Sequence, residues 1–147
     1  MYHLRKLFVF IVFCIAGFFG FEYFKVHTSS DVIAYKRFAK GVLNKDTYAV
    51  RTTSVPDVAS ATFAADSERR EYYHDLKIRF TYFKILSHFQ TEDGKDAEIV
   101  AEQISRVSRP GHSAFWGDAE VTMYHTVKLE KRNGIWRVVS FEDPAMR

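Results

Sequence analysis

Residues 121–141 read VTMYHTVKLEKRNGIWRVVSF, and this stretch decides the fold. Val121, Met123, Val127 and Leu129 fall on one parity, while Glu120, Thr122, Thr126, Lys128 and Glu130 fall on the other. Side chains alternate across a strand, so the segment is a β-strand with one apolar and one wet face. Arg132, Asn133 and Gly134 then offer a turn, since Asn-Gly takes the positive-φ conformations a tight hairpin needs. Residues 135–142 return as a final strand.

Two further strands precede this hairpin. Residues 78–89 are rich in β-branched and aromatic side chains, with apolar residues on both parities, which implies partial burial on both faces or a bulge. Residues 97–108 follow after the turn signal Thr91, Glu92, Asp93, Gly94 and Lys95. A longer loop from Arg109, Pro110 and Gly111 to Trp116, Gly117 and Asp118 joins them to the final hairpin.

Upstream the period changes. Val32, Tyr35, Phe38, Ala39, Val42 and Leu43 recur at helical spacing, with Lys36, Arg37 and Lys40 on the opposite side. This helix ends near Asn44, and Asp46 is placed to cap a short second one reaching about Ser54. Beyond Pro56, residues 58–70 read as a third helix capped by Asp57, with Phe63 its only large apolar residue. Helices followed by an antiparallel meander predict an α+β fold, helices packed on one face of a curved sheet.

The first 25 residues are of another kind. Arg5 and Lys6 precede an unbroken apolar run over residues 7–21, and Glu22 and Lys25 follow it. Extended to Phe24, the run spans roughly 27 Å as a helix, just enough for a hydrocarbon core. The expectation is an uncleaved signal anchor contacting membrane lipid through residues 7–24. A cleaved signal, and hence secretion, is the alternative, although no small-x-small site is evident. A buried core helix is disfavoured by phenylalanine and isoleucine on every side. The charges at Arg5 and Lys6 place the N-terminus inside and the domain outside the cytoplasmic membrane, in periplasm or medium. Residues 28–31 then form a short polar neck before a single domain over 26–147.

Cys14 is the single cysteine and lies in the apolar run, so the domain needs no disulfide. The formal net charge is +3, and acidic and basic residues nearly balance beyond the anchor, which gives no electrostatic case for nucleic acid. No metal-ligand spacing occurs, and neither metal nor cofactor is expected.

The helix with its turn at Gly41, Asn44 and Asp46, and the closing hairpin KRNGIWRVVSF over residues 131–141, together resemble the NTF2-like superfamily, a cystatin-like α+β cone. The resemblance implies that residues 30–143 form such a cone. That superfamily includes isomerases, dehydratases and cyclases acting inside the cone, binding modules, and membrane-tethered components of secretion assemblies. It does not select a function.

Within this frame His125 is the leading candidate for chemistry. It sits on the apolar parity of its strand, where an imidazole can serve as a general base or simply as a hydrogen-bonded core residue. His88, sharing a parity with Tyr82, Lys84 and Leu86, lines the same cavity if the sheet curves, and Asp118 would complete an acid–base set. His74 and Asp75 read as a capping joint, and Ser113 lacks a nucleophile context. Tyr72, Tyr73, Phe115 and Trp116 are candidates for a ligand or partner surface. Arg69, Arg70 and Glu71 read as a solvated helix end. A tethered binding or assembly module, joined to a protein partner or to itself, is the expected function; a cone-cavity enzyme using His125 and His88 is the alternative.

Overall fold

The computed structural model describes residues 2–73, 76–112 and 115–143, with the backbone alone for residues 2–4 and 72. His74, Asp75, Ser113 and the Tyr72 ring therefore lie outside the described residues. Five helices run in order, α1 (Tyr2–Thr28), α2 (Ser30–Asn44), α3 (Thr47–Thr53), α4 (Pro56–Ala64) and α5 (Asp66–Tyr73). Four strands follow, β1 (Lys77–Gln90), β2 (Asp96–Ser108), β3 (Ala119–Arg132) and β4 (Ile135–Glu142). They form one antiparallel sheet in chain order.

The helical layer follows from its punctuation. α2 buries Val32, Tyr35, Phe38 and Ala39 and stops at Lys45, held in the left-handed conformation with φ 57°. Gly41 allows α3 to cross close by, since a Cβ there would lie 2.9 Å from that of Ala49. Asp46 caps α3 by accepting from the Ala49 amide at 3.0 Å. The helix expected over 58–70 is two helices, broken at Ala65. Pro56 opens α4 at the first turn, where its missing N–H costs nothing, so Asp57 is not the cap.

In the sheet, two register shifts interrupt β1, one between Ile78 and Phe80 and one between Ile85 and Ser87. They explain why apolar residues occupy both parities. Ile78, Phe83 and Ile85 all reach the inner face because each extra residue reverses the alternation. The second shift separates His88 from Tyr82 and Lys84: His88 pairs with Ile99 on the inner face, whereas Tyr82 and Lys84 face outward. The parity read from the sequence for His88 is thus corrected by the bulge at Leu86.

The helices cover the inner face. Val32, Tyr35, Phe38 and Val50 pack with Ile99, Val127, Leu129, Trp136, Val138 and Phe141. Each such side chain contributes about 1.5–3 kcal/mol when fully buried. A smaller cluster of Tyr73, Val107 and Met123 closes the other end. The β4 edge is hooked by the α3–α4 connection, where Val55 N–H donates to Val138 O at 3.0 Å.

Among the described residues one helix is long and apolar enough to cross a membrane, Arg5–Thr28, and none of its apolar stretch is buried in the molecule. Membrane anchors and signal sequences share these properties. The expected polar neck is helical apart from a break at Ser29, with ψ 144°. Thr28 Oγ1 donates to Phe24 O at 2.8 Å and Ser29 Oγ to Val26 O at 2.7 Å, which satisfies the end of α1.

Candidate functional site

Two histidines of the sheet are hydrogen-bonded to α2. Asp31 and Tyr35 lie one helical turn apart and therefore on the same face. Asp31 Oδ2 meets His88 Nε2 at 2.6 Å, and Tyr35 Oη meets His125 Nδ1 at 2.9 Å. Burial raises the Asp31 pKa, but hydrogen bonds from His88 and Ser29 outweigh it and leave the carboxyl below its usual value. Burial pushes the Tyr35 phenol upward. His125 is 2% exposed, and burial, reinforced by the Arg69 cation, lowers its pKa to about 4. At neutral pH its imidazole is uncharged and weakly basic.

Arg69 and Asp143 form a second buried layer of polarity. Arg69 Nε donates to Asp143 Oδ2 at 2.9 Å and Nη1 to the Thr62 carbonyl. The solvated helix end expected at Arg69 is thus wrong for that residue, because its guanidinium turns inward to a carboxylate 74 positions away. Arg69 Nη2, Thr62 Oγ1 and Asp143 Oδ1 have no partner among the described residues. Tyr73, also buried, bonds through its hydroxyl with Ser105 at 3.2 Å and accepts from Gln103 at 3.1 Å. Only 7% of it is exposed.

Little space remains around His125. The void touching His125, Arg69, Tyr73, Gln103, Met123 and Phe141 measures about 10 Å³, the scale of a single water. A larger open groove of about 590 Å³ lies outside, lined by Val42, Leu43, Lys45, Arg70, Leu76 and Ile78. Arg69 and Tyr73 line both spaces and separate them.

Asp118 is elsewhere. It lies before β3, roughly 23 Å along the strand from His125, and fastens its own loop. Its Oδ1 accepts from the Arg109 amide at 3.1 Å and its Oδ2 meets His112 Nδ1 at 3.1 Å. His88, His125 and Asp118 are therefore not brought together. Among the described residues no group of three or more His, Cys, Asp or Glu converges to hold a metal.

The outer face of the sheet carries the other candidates. Phe115 is 76% and Trp116 68% exposed, their rings edge-on at 5.1 Å. Trp116 leans on Phe80 at 6.1 Å, and Phe80 stacks with Tyr82 at 6.3 Å. Tyr124 is exposed on the same face. Gly117, with φ 78°, lets the loop lie on β2, since a Cβ would come within 2.7 Å of Val107 O.

No protein-family model matches the sequence, and no curated protein does. Among solved structures, a ketosteroid isomerase-like protein from Shewanella frigidimarina NCIMB 400 overlays with a TM-score of 0.50 at 14% identity, covering 79% of this chain and 95% of its own. The fold is NTF2-like. A protein from Kribbella flavida overlays more loosely, with a TM-score of 0.48 at 16% identity over 81% of this chain and 90% of its own.

In this NTF2-like cone, the residues that sequence reasoning missed are Asp31, Tyr35, Arg69 and Asp143. Asp31 read as part of the polar neck, and Tyr35 as plain core. The signal available for Arg69 was its helical spacing from Tyr73, which places both on one face of α5.

Proposed function

We propose that this chain is a membrane-tethered, non-enzymatic assembly module whose NTF2-like domain pairs with a second copy through the outer face of its sheet. The observation that carries the proposal is the exposed aromatic group Phe80, Tyr82, Phe115, Trp116 and Tyr124 on a face otherwise lined by paired charges. Lys84 with Glu102 at 3.3 Å and Arg106 with Glu120 at 3.4 Å give that face both signs. A two-fold related copy presents the same patch, so opposite charges can meet across the axis. A membrane would hold both copies in one orientation.

The domain lies outside the cytoplasmic membrane in this proposal, as Arg5 and Lys6 direct. Lys25 at the end of α1 and Lys36, Arg37 and Lys40 beyond it oppose that orientation, and labelling decides the side. One variant serves both questions. Tyr124→Cys in a Cys14→Ser background should react with a membrane-impermeant maleimide on intact cells. It should also form a disulfide-linked dimer under mild oxidation, and adding Trp116→Ala should abolish the dimer. Protection from the maleimide reverses the topology. A monomer in nanodiscs that never crosslinks ends the pairing proposal.

Catalysis at His125 lacks support in this geometry. Its ring is held by Tyr35 and Phe141, and the adjoining void admits no substrate. The 590 Å³ groove has room for a small molecule, but the Arg69–Asp143 pair stands between it and the imidazole.

A further inference from the structure

The exposed face of α2 combines unpaired cations with contact to the apolar helix. Ile33, Arg37, Lys40 and Asn44 recur at helical spacing and are all exposed, with Lys36 half-buried beside them. None of Lys25, Lys36, Arg37 and Lys40 has an acidic partner among the described residues, although carboxylates pair with Lys45, Lys84, Lys95 and the arginines at 69, 70, 106 and 132. Burial, with the neighbouring Lys40 charge second, lowers the Lys36 pKa, so this cluster repels itself. Asp46 is the one carboxylate on the adjoining groove of about 400 Å³, and its Oδ1 caps α3.

Where this face lies matters as much as its charge. Lys36 Nζ donates to His27 Nδ1 at 2.9 Å and approaches His27 O at 3.5 Å. His27 is in the last turn of α1, so the break at Ser29 swings α2 until its second turn rests on the end of the apolar helix. A bilayer spanned by Arg5–Thr28 would have its headgroups at this level. Tyr23, stacked on His27 at 4.0 Å, suits the same depth.

We infer that the Ile33–Lys36–Arg37–Lys40 face of α2 docks on the bilayer that α1 enters and takes the phosphates of anionic lipids. This rests on the membrane reading of α1. The lipid phosphates supply the negative charge that the fold withholds, and Ile33 supplies an apolar contact at the acyl boundary. Docking would fix the domain's tilt and set the direction in which the outer sheet face points.

The test uses the full chain in nanodiscs of phosphatidylcholine alone or with phosphatidylglycerol. An environment-sensitive fluorophore is placed at Ile33→Cys in the Cys14→Ser background. Anionic discs should shift its emission to the blue and protect it from aqueous quencher, and raised salt should reverse both. Arg37→Glu and Lys40→Glu, both at exposed positions, should each weaken docking by about five-fold or more, from roughly 1 kcal/mol per juxtamembrane cation. Emission indifferent to lipid charge, or to both reversals, overturns the inference while the chain remains in the discs. A chain that does not enter discs overturns the membrane reading and this inference with it.

Discussion

The two faces of the sheet use polar and aromatic residues in opposite ways. On the inner face the chemistry-bearing groups are occupied with each other: Asp31 with His88, Tyr35 with His125, Arg69 with Asp143, and Tyr73 with Gln103 and Ser105. On the outer face the charges are ordinary exposed pairs, and the large aromatics are left uncovered. The inner groups are committed to one another, and the uncovered aromatics lie on the outer face.

The largest expected effect comes from breaking the inner face at its ion pair. Asp143→Ala would leave the Arg69 guanidinium buried without its carboxylate, at a cost of about 3–5 kcal/mol. Urea unfolding followed by tryptophan fluorescence measures it. Replacing both partners with Arg69→Met and Asp143→Leu should recover most of the loss, because the desolvation of two charges disappears with the charges. If the double variant is as weak as the single one, the pair is doing more than neutralising itself.

Acid should act next. His125 has a folded pKa of about 4, below its ordinary 6.5. The unfolded chain therefore binds a proton that the folded chain refuses, and stability falls as pH drops from about 6.5 to about 4. The shift corresponds to roughly 3 kcal/mol. His125→Gln should flatten the stability profile across that window. Asp31 acts lower: its folded pKa is depressed, so its contribution is present above the unfolded value of 3.8 and is lost as pH falls through the folded one. Tyr35→Phe tests the same staple at neutral pH, leaving the buried His125 Nδ1 unpartnered for about 1–3 kcal/mol. A profile indifferent to His125→Gln would show that water reaches the imidazole and the interior is more open than its 10 Å³ void implies.

The contrast between the faces was only half legible in the sequence. The alternation over 121–141 placed β3, its inward set and the hairpin to β4, and Asp46 correctly announced the cap of α3. These are local signals, carried by neighbouring residues. The inner-face pairs are not local: Asp31 and His88 are 57 residues apart, Tyr35 and His125 90, Arg69 and Asp143 74. No period or spacing encodes them. His88 was harder still, because two bulges in β1 reverse the alternation on which a parity argument depends. The break at Ala65 was hidden as well, since residues 58–70 have a helical composition throughout and the turn serves to bring Arg69 inward.

The smallest expected change in stability belongs to the outer face, and it sharpens the comparison most. Trp116 is 68% exposed and touches Phe80 and Phe115 by ring edges. Trp116→Ala should therefore change the unfolding free energy by no more than about 0.5 kcal/mol, while removing a central aromatic anchor of the proposed pairing. Gly117→Ala offers an independent route to the same end. It leaves every aromatic in place but forces the loop away from Val107 O, and so should misplace Phe115 and Trp116 together. Should Trp116→Ala instead unfold the sheet by more than 1 kcal/mol, the ring is a cover for β1, and the outer face is as inwardly committed as the inner one. If both variants fold normally and both lose the crosslinked dimer, the division of labour between the faces stands.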